Sequence, residues 1–221
     1  YYGAKWRAVP SYPPPTEETI VEPFAGSAMY ALHYHEHKVL INDLDPTLYQ
    51  LWEYLIKASA ADILALPIDE HSLDHLGELS VENGAKYLIG FWLCKAYTAP
   101  VTERIGWAKK EWSLWKTHYW SEGRRARVAR QVELIKHWKV SNKSYEALDN
   151  AQATWFVDPP YQMAGKWYRH SADKIDFHSL GQFCKSREGQ VIVCENEGAK
   201  WLPFRHFRPL QGSRRSSIEV V

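Results

Sequence analysis

Residues 19–57 switch twice between the hydrophobic period of a strand and that of a helix, and this alternation restricts the fold more than any other feature of the chain. Thr19-Ile20-Val21 is a short β-branched run, Glu22-Pro23-Phe24-Ala25-Gly26 reads as a turn, and Ser27 is placed to cap a helix running from Ala28 through His35. Lys38-Val39-Leu40-Ile41 is a second strand, closed by Asn42-Asp43-Leu44-Asp45-Pro46; Leu48, Leu51, Trp52, Leu55 and Ile56 then recur at helical spacing. Strand, helix, strand, helix in that order requires a right-handed crossover and a parallel sheet. The strand signal returns late, where Trp155-Phe156-Val157 runs into Asp158-Pro159-Pro160-Tyr161. It is followed by a helix over residues 176–187, the strand Val191-Ile192-Val193-Cys194 and a last strand from Ser217 to Val221. Between residues 58 and 139 the pattern is helical, with Tyr87, Leu88, Phe91 and Trp92 marking one segment and Val128, Val132 and Ile135 another. The first fifteen residues hold too many prolines and aromatics for a helix and are expected to be extended. The expected architecture is α/β: a mostly parallel sheet flanked by helices, built from residues 1–57 and 140–221, with a helical insertion at 58–139.

Composition removes several classes of function. A hydrophobic fraction of 45% with 24% charged residues is that of an ordinary globular chain, and no apolar run is long enough to cross a membrane. Cys94, Cys184 and Cys194 are far apart and form no C-x-x-C pair, which argues against a zinc or redox centre and for a reducing, cytoplasmic setting. No basic-then-apolar leader is visible, so secretion is unsupported. The net charge of +1 hides a strong asymmetry. Residues 41–83 hold nine acids against one base, whereas residues 103–143 hold eleven Lys/Arg against four Glu together with Trp107, Trp112, Trp115, Trp120 and Trp138. Bases and flat rings in one stretch suit a nucleic-acid surface. They equally suit a tryptophan-rich helical layer that packs its rings inside and solvates its charges, and composition alone leaves both open.

Two segments carry chemistry. Gly26, between a buried strand and a helix, lets a ligand approach the backbone, and Asp43 ends the next strand near the offset at which a carboxylate holds ribose hydroxyls in dinucleotide-binding folds. One glycine in place of three disfavours a diphosphate, so a nucleoside-type cofactor without phosphates is expected. Asp158-Pro159-Pro160-Tyr161 is more specific: two prolines remove two backbone donors, leaving a carboxylate, carbonyl acceptors and an aromatic ring to hold a flat, amino-bearing ring. No metal site is expected. His33, His35 and His37 alternate at a helix end and point apart, and His71 with His75 lacks a third ligand.

On these residues the chain resembles the Dam-type family of S-adenosylmethionine-dependent DNA N6-adenine methyltransferases, the class with a DPPY segment. The matching stretches are Tyr2-Gly3-Ala4-Lys5-Trp6-Arg7, Val21-Glu22-Pro23-Phe24-Ala25-Gly26-Ser27, Asn42-Asp43, Phe156-Val157-Asp158-Pro159-Pro160-Tyr161 and Val191-Ile192-Val193-Cys194-Glu195-Asn196. Ala28 and Ala4 stand where the family often has glycine. The segment at 142–145 lacks an acid that relatives often have.

The resemblance implies a Rossmann-like methyltransferase fold in which Tyr2, Lys5, Glu22, Pro23, Phe24, Gly26, Asp43 and Asp158 bind S-adenosyl-L-methionine. It also implies that Asp158, Pro159, Pro160 and Tyr161 hold an adenine flipped out of duplex DNA for direct, in-line methyl transfer. Under that reading Lys110, Arg124, Arg125, Arg127, Arg130, Lys166 and Arg169 are DNA-binding candidates. Cytosine N4 or RNA adenine as the acceptor, or a catalytically silent DNA-binding relative, are the alternatives.

Overall fold

The computed structural model describes residues 5, 7–94, 97–105, 109, 119–163, 165, 168–211 and 216–220, with side chains described as far as residue 207. The described residues divide into two compact units, one within residues 46–140, the other within residues 5–45 and 141–220.

The second unit is built on the sheet that the alternation predicts. Strands β1 (Thr19–Glu22), β2 (Lys38–Asn42), β3 (Lys139–Ser141), β4 (Ala153–Val157) and β5 (Gly189–Val193) form one sheet in the order β3-β2-β1-β4-β5. The pairs β1–β2, β1–β4 and β4–β5 run parallel, with Val21 level with Leu40 on one side and with Trp155 on the other. Strand β4 is buried at every position, as a central strand covered on both faces must be. One face packs Val21, Trp155, Val157 and Val193 against Leu180, Phe183 and Cys184 of an amphipathic helix, Phe177–Lys185. Asp176 caps that helix by accepting the N–H groups of His178 and Ser179. The α/β, Rossmann-like architecture is the one expected. A second, antiparallel sheet of β6 (Glu195–Asn196), β7 (His206–Gln211) and β8 (Ser216–Val220) follows.

Three local expectations change. Helix α1 spans only Met29–His33, and Ser27 does not cap it: Ala28 takes the cap position in the left-handed region, at φ 45°, with no side-chain cap. The reason is tertiary, because buried Glu22 reaches from the end of β1 and accepts the Ala31 N–H of the first turn at 2.6 Å. Within the N-terminal segment, Val9–Ser11 form a single 3-10 turn opened by Pro10. The C-terminal strand is antiparallel to its neighbours and separate from the parallel sheet.

The described residues of the first unit are helical: α2 (Pro46–Lys57), α3 (Ala60–Ala65), α4 (Glu70–Asp74), α5 (Asn83–Leu93) and α6 (Glu122–Val132), with β3 beginning at its end. Helices α2 and α5 meet closely enough that Gly84 has no room for a side chain, since a Cβ there would lie 2.3 Å from Tyr54 and 2.4 Å from the Gln50 carbonyl. Several acids of the 41–83 run act structurally. Asp62 and Ser59 form a capping box, Asp69 caps α4, and Glu70 and Asp74 pair with the buried Arg104 at 3.0 and 2.8 Å. Trp120 and Trp138 are core residues, and the Trp120 ring donates to the Pro67 carbonyl at 2.8 Å. Trp107, Trp112 and Trp115 lie outside the described residues.

Candidate active site

In the parallel sheet the strand order reverses between β1 and β4, and the chain leaves both strands at the same edge. In open α/β sheets this switch point, outside the carboxyl ends of the strands, is where ligands bind. The two segments singled out for their chemistry, Glu22–Gly26 and Asp158–Tyr161, are the chain that leaves β1 and β4 there.

On the β1 side the turn is held by hydrogen bonds to the end of β2. Ala25 donates to the Asn42 carbonyl at 2.8 Å, and Gly26, at φ 48°, donates to Asp43 Oδ2 at 2.9 Å. The Asp45 N–H donates to Asp43 Oδ1 at 2.9 Å. Burial pushes the Asp43 carboxyl up to about 6, and these two N–H groups hold it from rising further. It is therefore mainly ionised at neutral pH, and a carboxylate that accepts two N–H groups still has acceptor capacity for hydroxyls. Asn42 fixes the neighbouring strand end. Its Nδ2 donates to the Pro23 and Lys143 carbonyls at 3.0 Å each, and its Oδ1 accepts from the Ser141 hydroxyl at 2.7 Å and the Lys143 N–H at 3.1 Å. The Glu22 carboxyl is pushed up to about 8, first by burial and further by the nearby Asp158, against the lowering effect of the Ala31 N–H. It is thus largely protonated at neutral pH. Pro23 is buried, and the half-buried Phe24 ring leans on Tyr145 at a centroid distance of 5.3 Å.

On the β4 side, Asp158 lies 3.3 Å from the ammonium of Lys5, whose side chain is 11% exposed. The same ammonium donates to the Tyr161 hydroxyl and sits 4.4 Å from the centre of its ring. Lys5 is positioned by its own turn, where its carbonyl accepts the N–H groups of Ala8 and Val9 at 2.7 and 3.0 Å. The following arm is pinned by aromatic contacts: Tyr12 meets Phe156 edge-on and stacks on Phe207, while Tyr30 stacks on Phe156 and donates to the Pro13 carbonyl. Beyond the prolines the chain closes a tight turn. Gly165 donates to the Tyr161 carbonyl at 2.6 Å, and a Cβ at Gly165 would lie 2.7 Å from Pro160.

The four arginines of α6 do not share one environment. Arg125 turns inward and donates to the Leu66 carbonyl at 2.6 Å, and Arg124 lies over the Trp92 ring at 5.1 Å. Arg127 and Arg130 are exposed, while Val132 beside them is buried and Val128 half-buried. Arg169, in the other unit, is 61% exposed and meets Asp45 at 3.4 Å. Tyr2, Lys110 and Lys166 lie outside the described residues.

Sequence reading assigned no role to the pairing of Lys5 with Asp158 and Tyr161, to Glu22 as the partner of a helix N-terminus, or to Glu195. Glu195 is fully buried and opens β6, two residues past the end of β5; the sequence signal for it is an acid that follows the apolar run Val191-Ile192-Val193-Cys194. Among the described residues no group of three His, Cys, Asp or Glu is placed to hold a metal, and no helix is long and apolar enough to cross a membrane.

No curated protein matches the chain. Residues 1–83 match the family model of the D12 class N6 adenine-specific DNA methyltransferases.

Proposed function

We propose that this protein transfers a methyl group from S-adenosyl-L-methionine to the N6 amino group of adenine in DNA, on a base turned out of the duplex. The observation that carries the reading is the meeting, at one switch point, of a β1 turn held by the Asp43 carboxyl from the end of β2 and a β4 end with a carboxylate, a donor-free proline pair and an aromatic ring. The family match over residues 1–83 supports the same reaction class.

The residues present fit this cofactor. Asp43 has acceptor capacity for ribose hydroxyls, and Gly26, whose positive φ favours glycine, carries no side chain to crowd the turn. S-adenosyl-L-methionine, when bound, supplies an electrophilic methyl group on a sulfonium. The protein's part is to make a poor nucleophile competent. The adenine amino nitrogen has its lone pair delocalised into the ring, and accepting its hydrogens at Asp158 and at the Pro159 carbonyl restores lone-pair character. Tyr161 stacks on the base and fixes its face, and Asp158 takes the proton that N6 sheds once alkylated. The Lys5 ammonium offsets the charge of Asp158 and holds the Tyr161 hydroxyl, so that both groups are in place before the base arrives.

Incubation with methyl-labelled S-adenosyl-L-methionine and duplex DNA or RNA, followed by mass spectrometry of the nucleosides, tests the reading. Label is expected in N6-methyladenine from DNA; label confined to N4-methylcytosine or to RNA overturns it.

The basic helix makes a second expectation. Arg127 and Arg130 are the exposed pair and are assigned to phosphate contact, whereas Arg124 and Arg125 hold α6 in its own unit. Replacing Arg127 and Arg130 with Ala should weaken binding to all DNA sequences alike and flatten the slope of log K against log salt by about 0.9 per lost contact. Titrations at several salt concentrations with an unchanged slope would reduce the pair to a solvated face.

A further inference from the structure

Glu195 is a carboxylate with no access to solvent and no salt-bridge partner among the described residues, yet it meets three N–H groups. Its Oε1 accepts the Asn196 N–H at 2.8 Å; its Oε2 accepts the Gln162 N–H at 3.1 Å and the Trp201 indole N–H at 3.2 Å. Burial, with a further push from nearby Asp158, raises its carboxyl above the ordinary carboxylate range against the lowering effect of the three donors, and the geometry is that of a buried acid whose acceptor positions are taken up. Most buried acids at strand ends hold their own loop. This one reaches across to the backbone immediately after Tyr161, on the neighbouring strand's exit.

The turn it grips has little freedom left. Pro159 and Pro160 fix two φ angles, the Gly165 N–H closes the turn onto the Tyr161 carbonyl, and Gly165 is pressed against Pro160. Without an anchor at Gln162 that turn could still swing as a body about the end of β4. Cys194 donates to the Val157 carbonyl at 2.9 Å, so the strand end that carries Glu195 is itself fixed to the strand end that carries Asp158. Trp201 secures the other flank, packing on Phe177 and Phe204 while its ring N–H is held by the same oxygen that holds Gln162.

We propose that Glu195 is a positioning residue for the reaction: it sets the orientation of Tyr161 relative to Asp158 by holding the Gln162 amide, without touching the base or the cofactor. This inference rests on the function proposed above. Glu195→Gln keeps the shape but offers one acceptor oxygen to donors on both sides, so an N–H group must face an amide NH2. A misplacement of reacting groups by an ångström costs up to roughly 100-fold in rate. The variant should therefore lose about 10- to 100-fold in kcat while its affinity for S-adenosyl-L-methionine, measured by calorimetry, stays within about twofold of the wild type. A merely structural role would lower both together or neither. Retained kcat in Glu195→Gln, with the wild type active, overturns the inference; a wild type that methylates no DNA adenine overturns the proposed function instead. Should the variant not fold, amide exchange of the wild-type protein decides. Protection of the Gln162 amide well above that of exposed Met163 is expected, and equal exchange at the two overturns the anchor.

Discussion

Asp158→Ala should reduce single-turnover methyl transfer by at least ~100-fold, the scale for removing one preorganised electrostatic contact from a transition state. In the proposed function the carboxylate faces the reacting amine, and it is half-buried at the end of β4, so the fold and most of the DNA affinity should remain. The substitution also removes the partner of a Lys5 ammonium that is only 11% exposed. That ammonium still bonds the Tyr161 hydroxyl, so the ring should keep its place while the nitrogen loses its acceptor. Asp158→Asn provides the sharper comparison, since it retains size and one acceptor oxygen but carries no charge and cannot take the proton. Its rate should fall nearly as far as that of the alanine variant. Quenched-flow measurement of labelled methyl incorporation, with DNA affinity followed by anisotropy, checks both. Turnover within tenfold of the wild type in either variant would remove Asp158 from the mechanism.

The largest stability effect is expected at Trp155. This ring is fully buried in the interior strand β4, and its indole N–H reaches the carbonyls of Ala151 and Glu188 at 3.2 and 3.1 Å. Phe183 meets it edge-on at 5.8 Å, and the Arg187 guanidinium lies over it at 5.3 Å. Trp155→Ala would remove the largest side chain of the face that joins the sheet to the helix Phe177–Lys185. The cost should be about 3–5 kcal/mol, the range for truncating a large aromatic core residue. Set against a total stability of roughly 5–15 kcal/mol, this is about a fifth or more of what holds such a unit folded. Urea unfolding should show a lowered midpoint with an unchanged slope. A loss below about 1.5 kcal/mol would mean that the cavity collapses and that Trp155 does not dominate the packing between the sheet and the helix Phe177–Lys185.

The parts of the fold that were legible in the sequence are those dictated by neighbours in the chain. β-branched runs and the helical spacing from Leu48 to Ile56 gave β1, β2 and α2, and the apolar run ending in Val157 gave β4, each within a few residues. The missing backbone donors of the two prolines after β4 were legible as well, because that chemistry is independent of context. The cap of α1 failed for the opposite reason. Ser27 is a good local cap, but a carboxylate from another element reached the first turn, and no local pattern reports such a competitor. The arginine cluster behaved likewise. Four bases within seven residues look equivalent along the chain, whereas on the helix Trp92 and the Leu66 carbonyl claim two of them and leave two to solvent.

The sequence by itself determined the alternation of strand and helix and the parallel sense that follows from it, and it pointed to the two segments on which the proposed function rests, since these readings depend on backbone sterics and side-chain type. Only the tertiary structure decided which distant groups face one another. The strand order brings residue 22 and residue 158 to one edge, a turn near the N-terminus delivers Lys5 to Asp158 and Tyr161, and Glu195 closes on the Gln162 amide from the next strand. Each of these contacts joins residues more than thirty positions apart. Their formation depends on burial and on the geometry of hydrogen-bonded strands, which a linear pattern does not encode.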